Sequence, residues 1–200
     1  MARSLKKLIA AVFCLVLLFE LSSCSVNTKS AEQTGFSMGS LVGIKLYGKN
    51  SEALENANLL AEVVKTDERI SKNYEGSDIY RVNSSGEHGE TVSSETYDEL
   101  RTVCDVYSDS HGKAAALSGA LTELWGFDTD EFRLPSEDEI LSAKEKCGDD
   151  KLIFDDGKKV YIPDGAKLNL GSAGKGIALD EAVKRIDEIN SQGGKITGAV

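Results

Sequence analysis

The chain has little with which to build a metal centre. Histidine occurs only at His88 and His111, both in loop-like stretches, and no Cys-x-x-Cys or mixed Cys/His spacing is present. That scarcity argues against a zinc site and against a Ser/His/Asp hydrolase. Basic runs are missing as well: Lys and Arg total 23 against 33 Asp and Glu, for a net charge of −10. So acidic a surface repels phosphate backbones, which excludes nucleic acid and leaves a small ligand and proteins as partners. No internal repeat is visible, and the length after the leader suits one domain.

What is present begins with a leader. Arg3, Lys6 and Lys7 precede an apolar run from Leu8 to Phe19, and small residues then lead to a cysteine. This is the pattern of an export signal, with an uncleaved N-terminal anchor helix as the alternative that would tether the domain to the same face. Leu21-Ser22-Ser23-Cys24 resembles a lipobox, which implies cleavage after residue 23 and lipid attachment at Cys24. The expected organisation is a lipoprotein signal peptide over 1–23, a lipidated tether over 24–34 and one folded domain over 35–200. The expected location is the cell membrane, lipid-anchored and facing outward. Loss of the leader, with Arg3, Lys6, Lys7 and Glu20, takes the net charge from −10 to about −12. Of the cysteines, Cys104 and Cys147 remain in the domain. Each falls on the apolar stripe of an expected helix, as a small buried hydrophobe, and the compartment would also permit a disulfide.

The domain reads as α+β. Phe36 to Tyr47 alternates like a strand, and Gly48-Lys49-Asn50 follows as a turn. Leu54, Ala57, Ala61 and Val64 mark a helix, and residues 83–91 a loop. A second helix begins near Ser94, with Tyr97, Leu100, Cys104 and Tyr107 on one face. A third opens at Ser136 with Glu139 three residues on, a capping box, and buries Ile140, Ala143 and Cys147. Leu152 to Ile162 reads as a hairpin around Asp156-Gly157. Lys167 to Leu170 reads as a short strand before a helix with the stripe Leu179, Ala182, Ile186 and Ile189. Lys195-Ile196-Thr197 opens another strand just where the chain stops, so the sequence is expected to be part of a longer domain.

The segment Leu168-Asn-Leu-Gly-Ser-Ala-Gly-Lys-Gly-Ile-Ala-Leu-Asp180 carries the clearest chemistry. A helix that starts in glycines exposes backbone N–H groups to an anion, and Lys175 adds a point charge. Neither a Walker A loop nor a Rossmann fingerprint fits, because Asn169, Gly176 and Leu179 stand where those motifs demand other residues. By itself the segment fits a phosphate cradle and an ordinary tight turn equally well.

Other segments, in order, narrow the choice. Phe36-Ser-Met-Gly-Ser40, Ile70-Ser-Lys-Asn-Tyr74, Ser77-Asp-Ile-Tyr-Arg-Val-Asn83, Leu124-Trp-Gly-Phe127 and Leu170-Gly-Ser-Ala-Gly-Lys-Gly176 with Asp180 resemble successive blocks of the FAD:protein FMN transferases, the ApbE family. The resemblance implies a single ApbE-like domain, truncated at its C-terminal side. It implies that Met38, Gly39 and Ser40 border an FAD site and that Tyr74 stacks on the isoalloxazine ring, a task an aromatic face suits, while the residue itself fits core packing equally well. Ser77, Asp78 and Asn83 would either bond flavin or cap a turn. Trp125 reads as a core anchor.

The resemblance further implies that Gly171, Lys175 and Asp180 hold the FAD diphosphate, with Lys175 and Asp180 as the catalytic pair, and that the carbonyl near Gly174 is a ligand of Mg2+. The implied reaction moves FMN from FAD to a threonine of an acceptor flavoprotein in an extracytoplasmic electron-transfer system, and AMP leaves. Two departures stand out. Gly112-Lys-Ala-Ala115 places Ala114 and Ala115 where the family has Phe-Asp, and the family's remaining magnesium ligands would fall beyond Val200. The sequence alone therefore also accommodates a lipoprotein that binds or scavenges FAD without transferring it.

Overall fold

The computed structural model describes residues 28–127, 129 and 131–200. The expected leader and Cys24 lie outside the described residues. Strand β1 (Lys29–Ser37) and strand β2 (Ser40–Gly48) form an antiparallel hairpin, with Ser37 opposite Ser40. The region expected as one strand from Phe36 is thus a turn at Met38-Gly39, and Lys29 to Thr34, expected as tether, are strand. The reason lies on the inward face of β1, where Ala31, Gln33, Gly35 and Ser37 are all small or polar. They are small because a helix lies close: a Cβ on Gly35 would sit 2.7 Å from Leu60. Gln33 also accepts the Leu60 N–H at 2.9 Å, which caps that helix.

The single helix expected after the hairpin is two, α1 (Ser51–Asn56) and α2 (Leu59–Ile70), because Asn58 takes a left-handed conformation with φ 48°. Helix α3 (Asp78–Ser85) enters the stretch expected as loop, and strand β3 (Glu90–Thr91) follows it. Helix α4 (Ser94–Asp109) has Ser93 as its N-cap. Helix α5 (Gly119–Leu124) leads to α6 (Glu137–Lys144), whose capping box from Ser136 and Glu139 forms as expected. Strands β4 (Ile153–Phe154) and β5 (Lys159–Tyr161) make the expected hairpin, and β3 pairs with β5 to complete a small sheet.

Residues 167–169 are extended but join no sheet. Their backbone bonds go instead to Gly119, to the Asn83 side chain and to Ala116. Helix α7 (Gly174–Ser191) buries Ile177, Ala178 and Ala182, while Leu179 is 64% exposed, so the stripe runs one face away from Leu179. Strand β6 (Ile196–Ala199) pairs antiparallel with β2 and gives the first sheet the order β1-β2-β6.

Two clusters form the interior. The larger gathers Ile70, Ile79, Leu100, Leu117, Val160 and Leu168 with others, and the smaller gathers Leu46, Leu54, Leu59, Ala182 and Ile196. Trp125 is not a core anchor: half-buried, it stacks on the exposed ring of Phe127 with centroids 5.9 Å apart. Cys104 and Cys147 are free thiols and half-buried. Burial pushes the Cys104 thiol up to about 11 and raises Cys147 as well. Asp149 is buried, and its carboxylate accepts the N–H groups of Leu117 at 2.6 Å and Ala116 at 2.9 Å. No helix among the described residues is long and apolar enough to cross a membrane.

Candidate functional site

Three segments far apart in sequence meet around a hollow of about 330 Å³. The first is the tip of the β1–β2 hairpin, Met38 and Gly39, whose φ values are 50° and 68°. Both central residues left-handed is the signature of a two-residue type I′ turn, whose twist matches that of the flanking strands. The second is the end of α2 and the residues after it, Asp67 and Ile70 to Asn73. The third is Asn169 to Gly171 with Gly174 and Lys175, at the start of α7.

Each wall has a local cause. Asp67 Oδ2 accepts the Met38 N–H at 2.6 Å and the Ser37 hydroxyl at 3.0 Å, which fixes the turn against α2. Asn169 is the pivot of the glycine-rich wall. Its N–H donates to the Ala116 carbonyl at 2.7 Å, its Nδ2 to Thr122 Oγ1 at 3.1 Å, and its Oδ1 accepts the Gly171 N–H at 2.9 Å. A short 3-10 turn over Leu170–Ser172 then delivers the chain to α7. Gly174 packs on Ile70, where a Cβ would meet Ile70 Cδ1 at 3.4 Å, and Gly176 faces open space.

Of the expected cradle amides, two are already in use: Gly171 donates to Asn169, and Ala173 donates to the Leu170 carbonyl at 3.0 Å. The first-turn N–H groups of α7, from Gly174 to Gly176, have no acceptor within a regular helix, and they are the ones left for an anion. Lys175 is exposed at the rim of the same hollow.

The structure brings Met38, Gly39, Gly171, Gly174 and Lys175 together around this hollow. Tyr74 is next to it in sequence through Asn73 but does not line it; the ring is 53% exposed and folds over Gly76, where a Cβ would come within 3.2 Å. Ser40 turns its hydroxyl back to the Ser37 carbonyl at 3.5 Å. Ser77 is the N-cap of α3: its hydroxyl accepts the Tyr80 N–H at 2.8 Å and donates to the Ser71 carbonyl.

Asp78 is buried, and its Oδ2 accepts the Ser93 hydroxyl at 2.6 Å and the Ser93 N–H at 3.1 Å, while Arg81 pairs with Oδ1. Burial pushes its carboxyl up, but the hydrogen bonds from Ser93, Thr96 and Arg81 outweigh that and hold it below the usual carboxylate range. Asn83 spends its whole amide on the backbone of Leu168. Of the two roles open to Ser77, Asp78 and Asn83, the structure displays the structural one.

Lys175 and Asp180 do not share a face. Five residues on a helix turn through about 140°, and Asp180 lines a separate groove of about 540 Å³ between α4 and α7, beside Glu95, Asp98, Glu181 and Lys184. Sequence reasoning missed Asp67, Asn169 and Asn73. Asn169 stood inside the informative segment but was weighed only as a failed glycine, and nothing near Asp67 signals its contact with a turn 29 residues earlier.

The hollow does not by itself make a magnesium site. Magnesium takes near-octahedral oxygen ligands, usually one or two carboxylates with phosphate and water. Asp67 is the one carboxylate lining the hollow among the described residues, and one of its oxygens already accepts two hydrogen bonds. The described residues contain no group of three or more His, Cys, Asp or Glu able to hold a metal.

The architecture is an α+β domain in which a glycine-rich helix start faces a type I′ hairpin turn across a hollow. The ApbE family model matches residues 38–197, and the chain belongs to that family. It is 21% identical over 200 residues to the FAD:protein FMN transferase of Haemophilus influenzae, a match that covers 94% of this chain and 58% of that protein. The ApbE protein of Thermotoga maritima superposes with a TM-score of 0.73 at 25% identity, over 82% of this chain and 54% of that one. The apo form of Pseudomonas stutzeri flavinyl transferase ApbE gives 0.69 at 23% identity, over 86% and 56%, and shows the fold alone. The chain thus spans little more than half the length of these relatives.

Proposed function

We propose that the protein takes part in transferring FMN from FAD to a threonine of an acceptor flavoprotein, and that the hollow holds the FAD diphosphate. The observation that carries this reading is the meeting of Met38-Gly39 with Gly171, Gly174 and Lys175 around one cavity. These are segments that the family resemblance assigns to one nucleotide, and they are 132 or more positions apart in the chain. At about 330 Å³ the cavity lies near the lower bound for small-molecule sites. It suits part of a dinucleotide, and the largely exposed Tyr74, one residue after Asn73 of the wall, would have to swing from its place over Gly76 to stack on a flavin.

In the reaction the threonine oxygen bonds to the phosphorus on the FMN side, the bond from that phosphorus to the bridging oxygen breaks with its electron pair staying on the departing AMP, and the hydroxyl proton passes to solvent. This chain's part is to orient the diphosphate: the first-turn amides of α7 and Lys175 meet its charge, and the hairpin tip closes the opposite wall. Magnesium would have to be held by the diphosphate together with groups other than those lining the hollow, and would there supply neutralisation of charge. Anchoring through Cys24 would hold the domain at the outer face of a membrane, near an extracytoplasmic acceptor. Support for that placement is the leader and lipobox pattern.

Incubating the protein with FAD, magnesium and a threonine-bearing acceptor, then weighing the acceptor by mass spectrometry, tests the proposal. Gain of the FMN mass is expected. FAD binding without that gain would favour a flavin-holding lipoprotein instead, a reading motivated by Ala114 and Ala115 at the positions of the family's aromatic and acid.

A further inference from the structure

Met38 occupies a backbone conformation that a methionine does not favour by itself, although its side chain packs against the larger core cluster. A type I′ turn wants Asn, Asp or Gly at its first central position, and an ordinary side chain pays steric strain at φ 50°. The turn is therefore held by contacts beyond itself: Met38 packs on the core, and Asp67 supplies the hydrogen bonds. Its Oδ2 accepts the Met38 N–H at 2.6 Å and the Ser37 hydroxyl at 3.0 Å, two bonds strengthened by the acceptor's charge. The main-chain carbonyl of the same residue accepts the Ser71 N–H at 2.8 Å, so Asp67 also closes the end of α2, the adjoining wall of the hollow.

A carboxylate beside an anionic ligand repels it, so direct contact with a diphosphate is not the use of Asp67. We infer that Asp67 is a positioning residue for the flavin-nucleotide site, which keeps Met38-Gly39 in the left-handed turn that shapes the mouth of the hollow. The inference rests on the reading of that hollow as the FAD site.

The test uses the full chain, with FAD affinity read from flavin fluorescence and Met38 amide hydrogen exchange read without ligand. Asp67→Ala is expected to weaken FAD binding about tenfold, a loss of about 1.4 kcal/mol, and to speed Met38 exchange. Adding Met38→Asn supplies the side chain that favours this turn unaided. FAD affinity in the double variant should return to within about threefold of Met38→Asn alone, which a general loss of packing would not allow. Unchanged affinity in Asp67→Ala, or no recovery in the double variant when its melting temperature matches that of Met38→Asn, overturns the positioning role. A wild-type chain that binds no FAD refutes the flavin reading itself, and the inference with it.

Discussion

Asn83 and Leu168, 85 positions apart, meet as though they were neighbouring strands, with one side chain doing the work of a backbone. Asn83 Nδ2 donates to the Leu168 carbonyl at 2.9 Å, and the Leu168 N–H donates to Asn83 Oδ1 at 2.7 Å. Lys167 Nζ adds a bond to the Asn83 carbonyl at 2.7 Å. This clamp fixes the segment that feeds the glycine-rich wall.

Asn83→Ala should therefore act on folding rather than on ligand contact. It strands an N–H and a carbonyl of fully buried Leu168, at a cost of about 2 to 4 kcal/mol. Urea unfolding measures that loss. FAD affinity per folded molecule should change by less than about threefold; a collapse of affinity with stability intact would make Asn83 a flavin contact.

Lys175 and Asp180 should separate in binding. Lys175→Ala is expected to weaken FAD about three- to tenfold, an effect that shrinks at high salt because the lysine is exposed. Asp180→Ala, on the other groove, should shift affinity by less than about twofold. Isothermal titration of both variants at two salt concentrations checks the pair.

Acid should act on two carboxylates in opposite directions. Asp149 has its pKa raised by burial, so its ionised form costs stability near neutrality, and protonation relieves that cost as pH falls toward the unfolded value of about 3.9. Asp78 has its pKa lowered, so its contribution is complete above about 3.9 and is lost as pH falls through its folded value. The urea midpoint should rise modestly on leaving neutrality and drop in stronger acid. Asp149→Asn should remove the rise and Asp78→Asn the fall.

Arg69 and Glu99 form a two-pronged ion pair at 2.5 and 2.7 Å, with side chains 16% and 13% exposed, and Arg69 also donates to Thr96. Glu99→Ala leaves a half-enclosed guanidinium with one partner fewer on the wall between α2 and α4. A loss of about 2 to 4 kcal/mol is expected in chemical unfolding, whereas the solvent-side pair of Arg185 and Glu188 should be worth under about 1 kcal/mol.

Local signals were legible, and contacts carried across long sequence separations were not. The Ser136 and Glu139 box could be read because both partners lie within one turn, and the β4–β5 hairpin because Asp156-Gly157 is its own instruction. The glycine-rich cradle was visible for the same reason. Strand β1 was hidden because its inward residues are small, a pattern that makes sense only once Leu60 is known to press on Gly35. The Met38 turn was hidden because methionine carries no turn signal and its support comes from Asp67. Ser77, Asp78 and Asn83 suggested ligand contacts because polar side chains look alike before their partners are seen. The divergence of Lys175 from Asp180 was already implied by their spacing on a helix.

Helices α2 and α7 each run through both interior clusters: α2 places Leu59 in one and Ile70 in the other, and α7 does the same with Ala182 and Ile177. Both helices also end at the hollow, at Ile70 and Gly174. They behave as two beams shared by two rooms, with the doorway cut where the beams meet. Repacking either room, even at Leu59 or Ala182, would shift the door frame, so at those positions stability and the shape of the hollow change together.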